Sequence, residues 1–384
     1  MRIAFVPAAR LLSDRDANGE ALIASAFIRT LAARGHDVIA YCERSELPAI
    51  ERVDVREIPV TGPTAALGRI AFARRIARDL SRERVDVAHL LFPFTTHDGY
   101  AMATGVPLVC GPINLPWPSS GRRPRRAAAR AAAFITDRYE RRLHARTMER
   151  ASRLFVTGTS SSAAIPTSLR DRCVELPFGV DLHRFAATPL PDNAVILFLS
   201  VLLERKGIDV LLRALPQVRA AVPRARLLIA GDDPSGMRPK LERLARELGV
   251  HDAIEFAGPV APSDVPGLYR SARVFCQPSY GEPFGMTVVE AMASARPVVA
   301  TSSGGIADAV DHGRGGRLVP PGDPALLAGA LVGVLASPRD AEAMAGYNRA
   351  RAEQRYSLDG VVDRLEQTYA ELARSNGGVR HVAA

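Results

Sequence analysis

Short runs of Val, Ile and Leu recur along the whole chain, each separated from the next by a stretch with helical spacing of apolar residues. In the first half they fall at 3–6, 38–41, 87–91, 108–110 and 153–157; in the second at 195–200, 226–230, 254–257, 274–277, 297–300 and 316–319. Strands that are apolar on both faces suit a parallel sheet covered by helices, not an alternating half-exposed one. The intervening segments supply those helices: 19–34, closed by Gly35 as a C-terminal stop, then 207–221, 237–248, 265–271, 286–295 and 324–335. A chain of 384 residues exceeds the size at which one core usually stops growing, so the expectation is α/β with two doubly wound, Rossmann-like domains facing a central cleft. The boundaries read as 1–186 for the first domain, a Pro-rich linker at 187–193, 194–354 for the second, a C-terminal helix at 355–374 returning to the first, and a flexible tail at 375–384.

Charge is concentrated in one place. Residues 122–153 hold eleven Arg against Asp137, Glu140 and Glu149, which accounts for nearly all of the net +9. A solvated helix face is the ordinary reading, and weak peripheral contact with an anionic membrane surface is the other. Nucleic acid is not expected as a partner, because no aromatic residues are interleaved for base stacking. Cys42, Cys110, Cys173 and Cys276 are scattered, with no metal-ligand spacing, and the opening apolar run is too short for a signal or membrane segment. A cytoplasmic location and reduced thiols are therefore expected. Asp232-Asp233 lacks the D-x-D spacing of metal-using transferases, so no metal is assigned, and no cofactor.

The segment from Ser279 through Ala293 carries the most chemistry. Gly281, Pro283 and Gly285 break the strand ending near Gln277, after which a helix starts at Met286. The amides of Gly285, Met286 and Thr287 then lie at a helix N-terminus, where the dipole favours a phosphate. Glu290 sits on the same helix face and Glu282 in the turn. Two acceptor-only carboxylates beside an anion site are explained by the hydroxyls of a sugar and of a ribose, the two ends of a nucleotide sugar.

The pair Glu282-x7-Glu290 resembles the paired-glutamate motif of the retaining family-four glycosyltransferases (glycosyltransferase group 1), which have the GT-B fold. Further segments are similar in order: Leu203-Glu-Arg-Lys-Gly207 to the basic phosphate-binding segment, Pro177 through Phe185 to the stretch that closes the first domain, Phe256-Ala-Gly258 to the segment beside the base, and Thr301 through Gly305 with Pro321-Gly-Asp323 to the C-terminal pattern. The resemblance implies that Glu282 contacts the donor sugar and Glu290 the ribose, with Gly258, Pro259, Phe284, Gly285, Met286 and Thr287 also on the donor. Arg205 and Lys206 face the diphosphate. The acceptor side does not carry over from the resemblance: Asn18, Gly19 and Asn114 are placed there as cleft-side residues, and His97, in the loop after 91–94, is read either as a catalytic candidate or as a satisfied loop histidine. Departures are Val201, where family members often carry Arg, Asn18-Gly19 in place of a glycine pair, Asp308 in place of Glu, and Gly111 through Trp117 where a His is common.

The implied reaction moves a hexose or deoxysugar from a nucleotide-diphosphate sugar to a hydroxyl of an acceptor that is a glycan, a lipid-linked saccharide, or a secondary metabolite or antibiotic precursor, without metal and with retention. The alternative is a sugar-nucleotide epimerase of similar fold, which would need no acceptor. A nicotinamide-dependent oxidoreductase is disfavoured, because no G-x-G-x-x-G follows the first strand.

Overall fold

The computed structural model describes residues 1–14, 19–60, 65–92, 105–113, 142, 144–163 and 165–380. Asn18, His97 and Asn114 lie outside them, as does most of the basic stretch 122–153. The chain divides into two compact units, Met1–Phe178 with Val361–Ala384, and Gly179–Gly360.

The first unit is built on seven strands: β1 (Arg2–Leu12), β2 (Asp37–Ser45), β3 (Val53–Glu57), β4 (Val87–Leu90), β5 (Leu108–Ile113), β6 (Arg153–Val156) and β7 (Cys173–Glu175). They pair in the order β3-β2-β1-β4-β5-β6-β7, all parallel. Helix α1 (Gly19–Ala33) is closed by Gly35 in the left-handed region, as the sequence suggests. Strands β3 and β7 were not anticipated. Both are edge strands whose half-exposed residues lack the continuous apolar run of the central ones.

The second unit has six parallel strands, β8 (Val195–Leu199), β9 (Arg226–Ala230), β10 (Ile254–Gly258), β11 (Val274–Gln277), β12 (Val298–Thr301) and β13 (Gly316–Val319), ordered β10-β9-β8-β11-β12-β13. Every residue of β11 and β12 is buried, the signature of strands covered on both faces. Leu211, Leu215 and Val218 on the helix Ile208–Ala221 pack with Leu327, Leu331 and Val334 on the helix Pro324–Leu335 over one face. Each such side chain contributes roughly 1.5–3 kcal/mol of burial.

The units do not divide at 187–193, the expected linker. That segment makes its hydrogen bonds inside the second unit: the Arg296 guanidinium donates to the Thr188 and Pro189 carbonyls, and Arg273 to that of Pro191. The stretch expected to close the first domain likewise sits mainly in the second unit, with Val180 bridging to Ser357. The final helix, Leu358–Arg380, runs past 374 into the segment read as tail, and from Val361 onward it belongs to the first unit. Its Glu366 accepts from Arg34 at 2.8 Å and contacts His36 at 2.7 Å. Among the described residues, no helix is long and apolar enough to cross a membrane.

Candidate active site

In a doubly wound sheet ligands bind beyond the carboxyl ends of the strands, at the point where strand order reverses. In the second unit that point lies between β8 and β11. The segment following β8 carries Arg205, Lys206 and Gly207; the segment following β11 carries Glu282 and Gly285. Topology therefore brings together the two motifs that the sequence separates by some 75 residues.

Their contact is direct. Lys206 Nζ donates to Glu282 Oε2 at 2.6 Å, with each side chain 11% exposed. Burial lowers the Lys206 pKa, while the carboxylate opposes the shift. The single turn Glu204–Lys206 is pinned by Tyr280 N donating to the Arg205 carbonyl. Gly207 takes φ +67, and a Cβ there would come within 2.0 Å of the Pro278 carbonyl oxygen, so the two segments approach as closely as backbone allows.

Helix Met286–Ala293 starts at Gly285, which has φ +90 and leaves the first turn without a side-chain cap. Its leading amides have no acceptor within the helix and carry the positive end of the dipole. Gly304 and Gly305 mark more than a turn: added Cβ atoms would meet the Glu282 carbonyl at 2.2 Å and Phe284 Cα at 2.5 Å, and Gly305 N donates to the Glu282 carbonyl. Beneath the turn, Thr301 and Ser303 hydroxyls donate to the Ser279 carbonyl, and Gln277 donates to Ser279 Oγ. Phe284 turns inward against the Tyr356 ring, 6.1 Å away, so its side chain packs the core.

Glu290 is one helical turn further on. The Tyr269 hydroxyl lies 2.9 Å from Glu290 Oε2 and 2.9 Å from the Thr287 carbonyl. Burial pushes the Glu290 carboxyl up to about 7, against the opposing pull of Tyr269 and Arg184. Phe185 meets the Tyr269 ring edge-on at 5.9 Å, and Asp181 accepts from the His183 and Arg184 amides, so the motif around Phe185 buttresses Glu290 from behind. Tyr269 and Arg184 were not singled out in the sequence, where one Tyr in a short apolar helix reads as core.

Beside the ends of β8, β9 and β10 lies a cavity of about 140 Å³ lined by Leu202, Gly231, Phe256, Gly258 and Pro259 among others. The Arg238 guanidinium lies over the Phe256 ring at 5.2 Å. Asp233, one of the adjacent carboxylates, accepts from the Met237 and Arg238 amides and so anchors the next helix start. Among the described residues no three His, Cys, Asp or Glu side chains gather as metal ligands. Gly19, exposed at the start of α1, is the described member of the acceptor-side set.

The sequence and the fold of this chain both have counterparts among known proteins. Residues 193–337 match the family model described as "Glycosyl transferases group 1", and residues 18–184 match "Glycosyltransferase Family 4". A D-inositol 3-phosphate glycosyltransferase of Acidothermus cellulolyticus is 30% identical over 397 aligned positions, covering 93% of this chain and 86% of that one. One from Catenulispora acidiphila is 40% identical over 178 residues, 42% of each chain. A phosphatidyl-myo-inositol mannosyltransferase of Mycolicibacterium smegmatis is 39% identical over 222 residues, 56% of this chain and 55% of that one. The match thus spans about half the length of the last two. Solved structures share the fold: HepE of Anabaena in complex with UDP, at TM-score 0.77 and 19% identity over 97% of this chain and all of that one, and sucrose-phosphate synthase of Thermosynechococcus elongatus, at TM-score 0.80 and 20% identity over 98% of this chain and all of that one. The chain belongs to the family-four, group 1 glycosyltransferases.

Proposed function

We propose that this protein transfers a glycosyl group from a nucleoside diphosphate sugar to a hydroxyl of an acceptor, with retention and without a metal ion. The observation that carries the reading is the placement of Lys206 against Glu282 beside the uncapped start of the helix bearing Glu290. The donor's diphosphate would face Arg205, Lys206 and the amides of residues 285–287, its sugar Glu282, its ribose Glu290 and its base the cavity beside Phe256. As the bond from the anomeric carbon to the phosphate oxygen breaks, negative charge grows on the diphosphate. Fixed cations and amide dipoles there stabilise the transition state more than the ground state. The acceptor oxygen attacks from the face the diphosphate leaves, and the departing phosphate takes the acceptor's proton. No protein nucleophile is needed, and the nucleotide sugar is a substrate, not a cofactor.

Relatives named for D-inositol 3-phosphate and phosphatidyl-myo-inositol make inositol phosphates and phosphatidylinositol the first acceptors to try. The epimerase alternative has no support from the family. The test is incubation with a panel of nucleotide sugars, with and without those acceptors, in the presence of EDTA. Acceptor-dependent nucleoside diphosphate release with an axial or equatorial product linkage matching the donor supports the proposal. Epimerised donor without acceptor, or complete loss with EDTA, counts against it.

A further inference from the structure

We propose that Tyr269 is a positioning residue for the donor: its hydroxyl engages one oxygen of Glu290 and so presents the other to the ribose hydroxyls. The inference rests on the donor reading above and goes one residue beyond it.

Tyr269 is fully buried in the helix Val265–Ser271, and its hydroxyl carries one hydrogen between two acceptors, Glu290 Oε2 and the Thr287 carbonyl, both at 2.9 Å. Burial and the neighbouring carboxylate hold the phenol well above its ordinary range, so it stays protonated. Phe185 packs edge-on at 5.9 Å and Phe275 lies tilted at 5.7 Å, which holds the ring in place. Among the described residues no hydrogen bond reaches Glu290 Oε1.

A tyrosine hydroxyl can serve both forms of its neighbour. When Glu290 is ionised, the phenol donates to Oε2, and Oε1 is a pure acceptor for a vicinal diol. When Glu290 is protonated, its own O–H can donate to the phenol oxygen while the phenol turns its hydrogen to the Thr287 carbonyl. The oxygen left facing the ribose is then an uncharged and weaker acceptor. Among the described residues, the groups acting on Glu290 are the neutral Tyr269 phenol and the charged Arg184, which donates a hydrogen bond to the Pro262 carbonyl and lies over the Phe185 ring. Tyr269 therefore determines how readily the ligand-competent ionised form is reached, and donor binding should strengthen as pH rises through the Glu290 titration.

The full chain would be titrated calorimetrically with UDP-glucose and with GDP-mannose from pH 5.5 to 8.5, since neither sugar nucleotide titrates its own phosphates in that range. With the sugar nucleotide that binds, wild-type affinity should rise through about 7. Tyr269→Phe should weaken binding about tenfold at neutral pH and move the midpoint upward by about one unit, because a donor to the charged form is lost. Glu290→Gln should abolish the pH dependence, which keeps the test independent of how Tyr269→Phe folds. Wild-type affinity flat across the range, or a Tyr269→Phe loss equal at every pH, overturns the positioning role while leaving the donor reading intact. Undiminished binding by Glu290→Gln, or no binding of either sugar nucleotide, overturns the donor reading itself.

Discussion

Lys206 and Glu282, one on each side of the strand-order reversal, form a 2.6 Å ion pair that is almost closed to water. A buried pair of this kind contributes little net stability while intact, but leaves an uncompensated charge when one partner is removed. Here it also holds Lys206 where a phosphate would otherwise engage it. Glu282→Gln should lower stability by roughly 2–4 kcal/mol in a denaturant titration. It should lower turnover about a hundredfold or more. The affinity for UDP or GDP, which lack the sugar, should stay equal or improve because the lysine is freed. A parallel loss of nucleoside diphosphate affinity would show that the pair serves the phosphate and not the sugar.

The glycine pair makes a separate prediction about the turn. A methyl at Gly305 would lie 2.5 Å from Phe284 Cα and 2.5 Å from the Pro283 carbonyl oxygen. Neither is a flexible side-chain tip, so Gly305→Ala should cost about 2–4 kcal/mol by thermal or urea melting and displace Glu282. Gly329 provides the contrast: it lies in the interior of the helix Pro324–Leu335 with nothing within 4 Å of an added Cβ, and Gly329→Ala should stabilise by about 0.5–1 kcal/mol. Equal effects at the two sites would remove the steric argument.

The parts of this molecule that sequence reveals are those written in local pattern. Continuous apolar runs mark the buried strands, with 226–230, 274–277 and 316–319 matching to the residue, and Gly285 marks a helix start whose backbone only glycine tolerates easily. The edge strand Val53–Glu57 was invisible because its alternating exposed residues resemble loop. A Pro-rich segment looks like a linker in sequence, while the guanidinium of Arg296, more than a hundred residues away, ties 188–189 into the second unit. Glu282 and Lys206 each stand out in the sequence, but separately. Their mutual contact depends on parallel strand order, which no local spacing encodes. Tyr269 was missed for the same reason: its partner lies 21 residues on and across a strand.

In the first unit, His89 ties the last helix to the sheet. The ring sits between the Tyr369 hydroxyl at 2.5 Å and the Gly111 carbonyl at 2.6 Å, so the neutral tautomer donates from Nε2 and accepts at Nδ1. Burial lowers its pKa to about 4. The folded pKa lies below the unfolded value of 6.5, so the unfolded chain binds more protons between the two. Stability from this group is complete above 6.5 and is lost as pH falls through 4, on the order of 3 kcal/mol in all. Tyr369→Phe leaves Nδ1 without its donor and should destabilise by about 1–2 kcal/mol at neutral pH. Melting across pH 4–7 checks both; a flat profile would mean that the imidazole is hydrated.

Glu290 predicts the opposite slope for the second unit. Its folded pKa, about 7, lies above the ordinary carboxyl value of 4.5, because burial disfavours the charge more than Tyr269 and Arg184 favour it. The folded chain therefore holds a proton that the unfolded chain releases. Stability from this group is complete below 4.5 and is lost as pH rises through 7, on the order of 2 kcal/mol once partial solvent contact is allowed for. Glu290→Gln is uncharged at every pH and should remove the loss, so the variant should gain on wild type as pH is raised from 5 to 8. The cost to wild type is tolerable only if the ionised carboxylate has work to do, which is why adding a bound nucleotide sugar should restore wild-type stability at pH 8 more than at pH 5. Melting of both proteins at the two pH values, with and without the sugar nucleotide, measures each half of the argument. A Glu290→Gln variant that tracks wild type at both pH values would show that the carboxyl is ionised throughout and that its burial costs nothing.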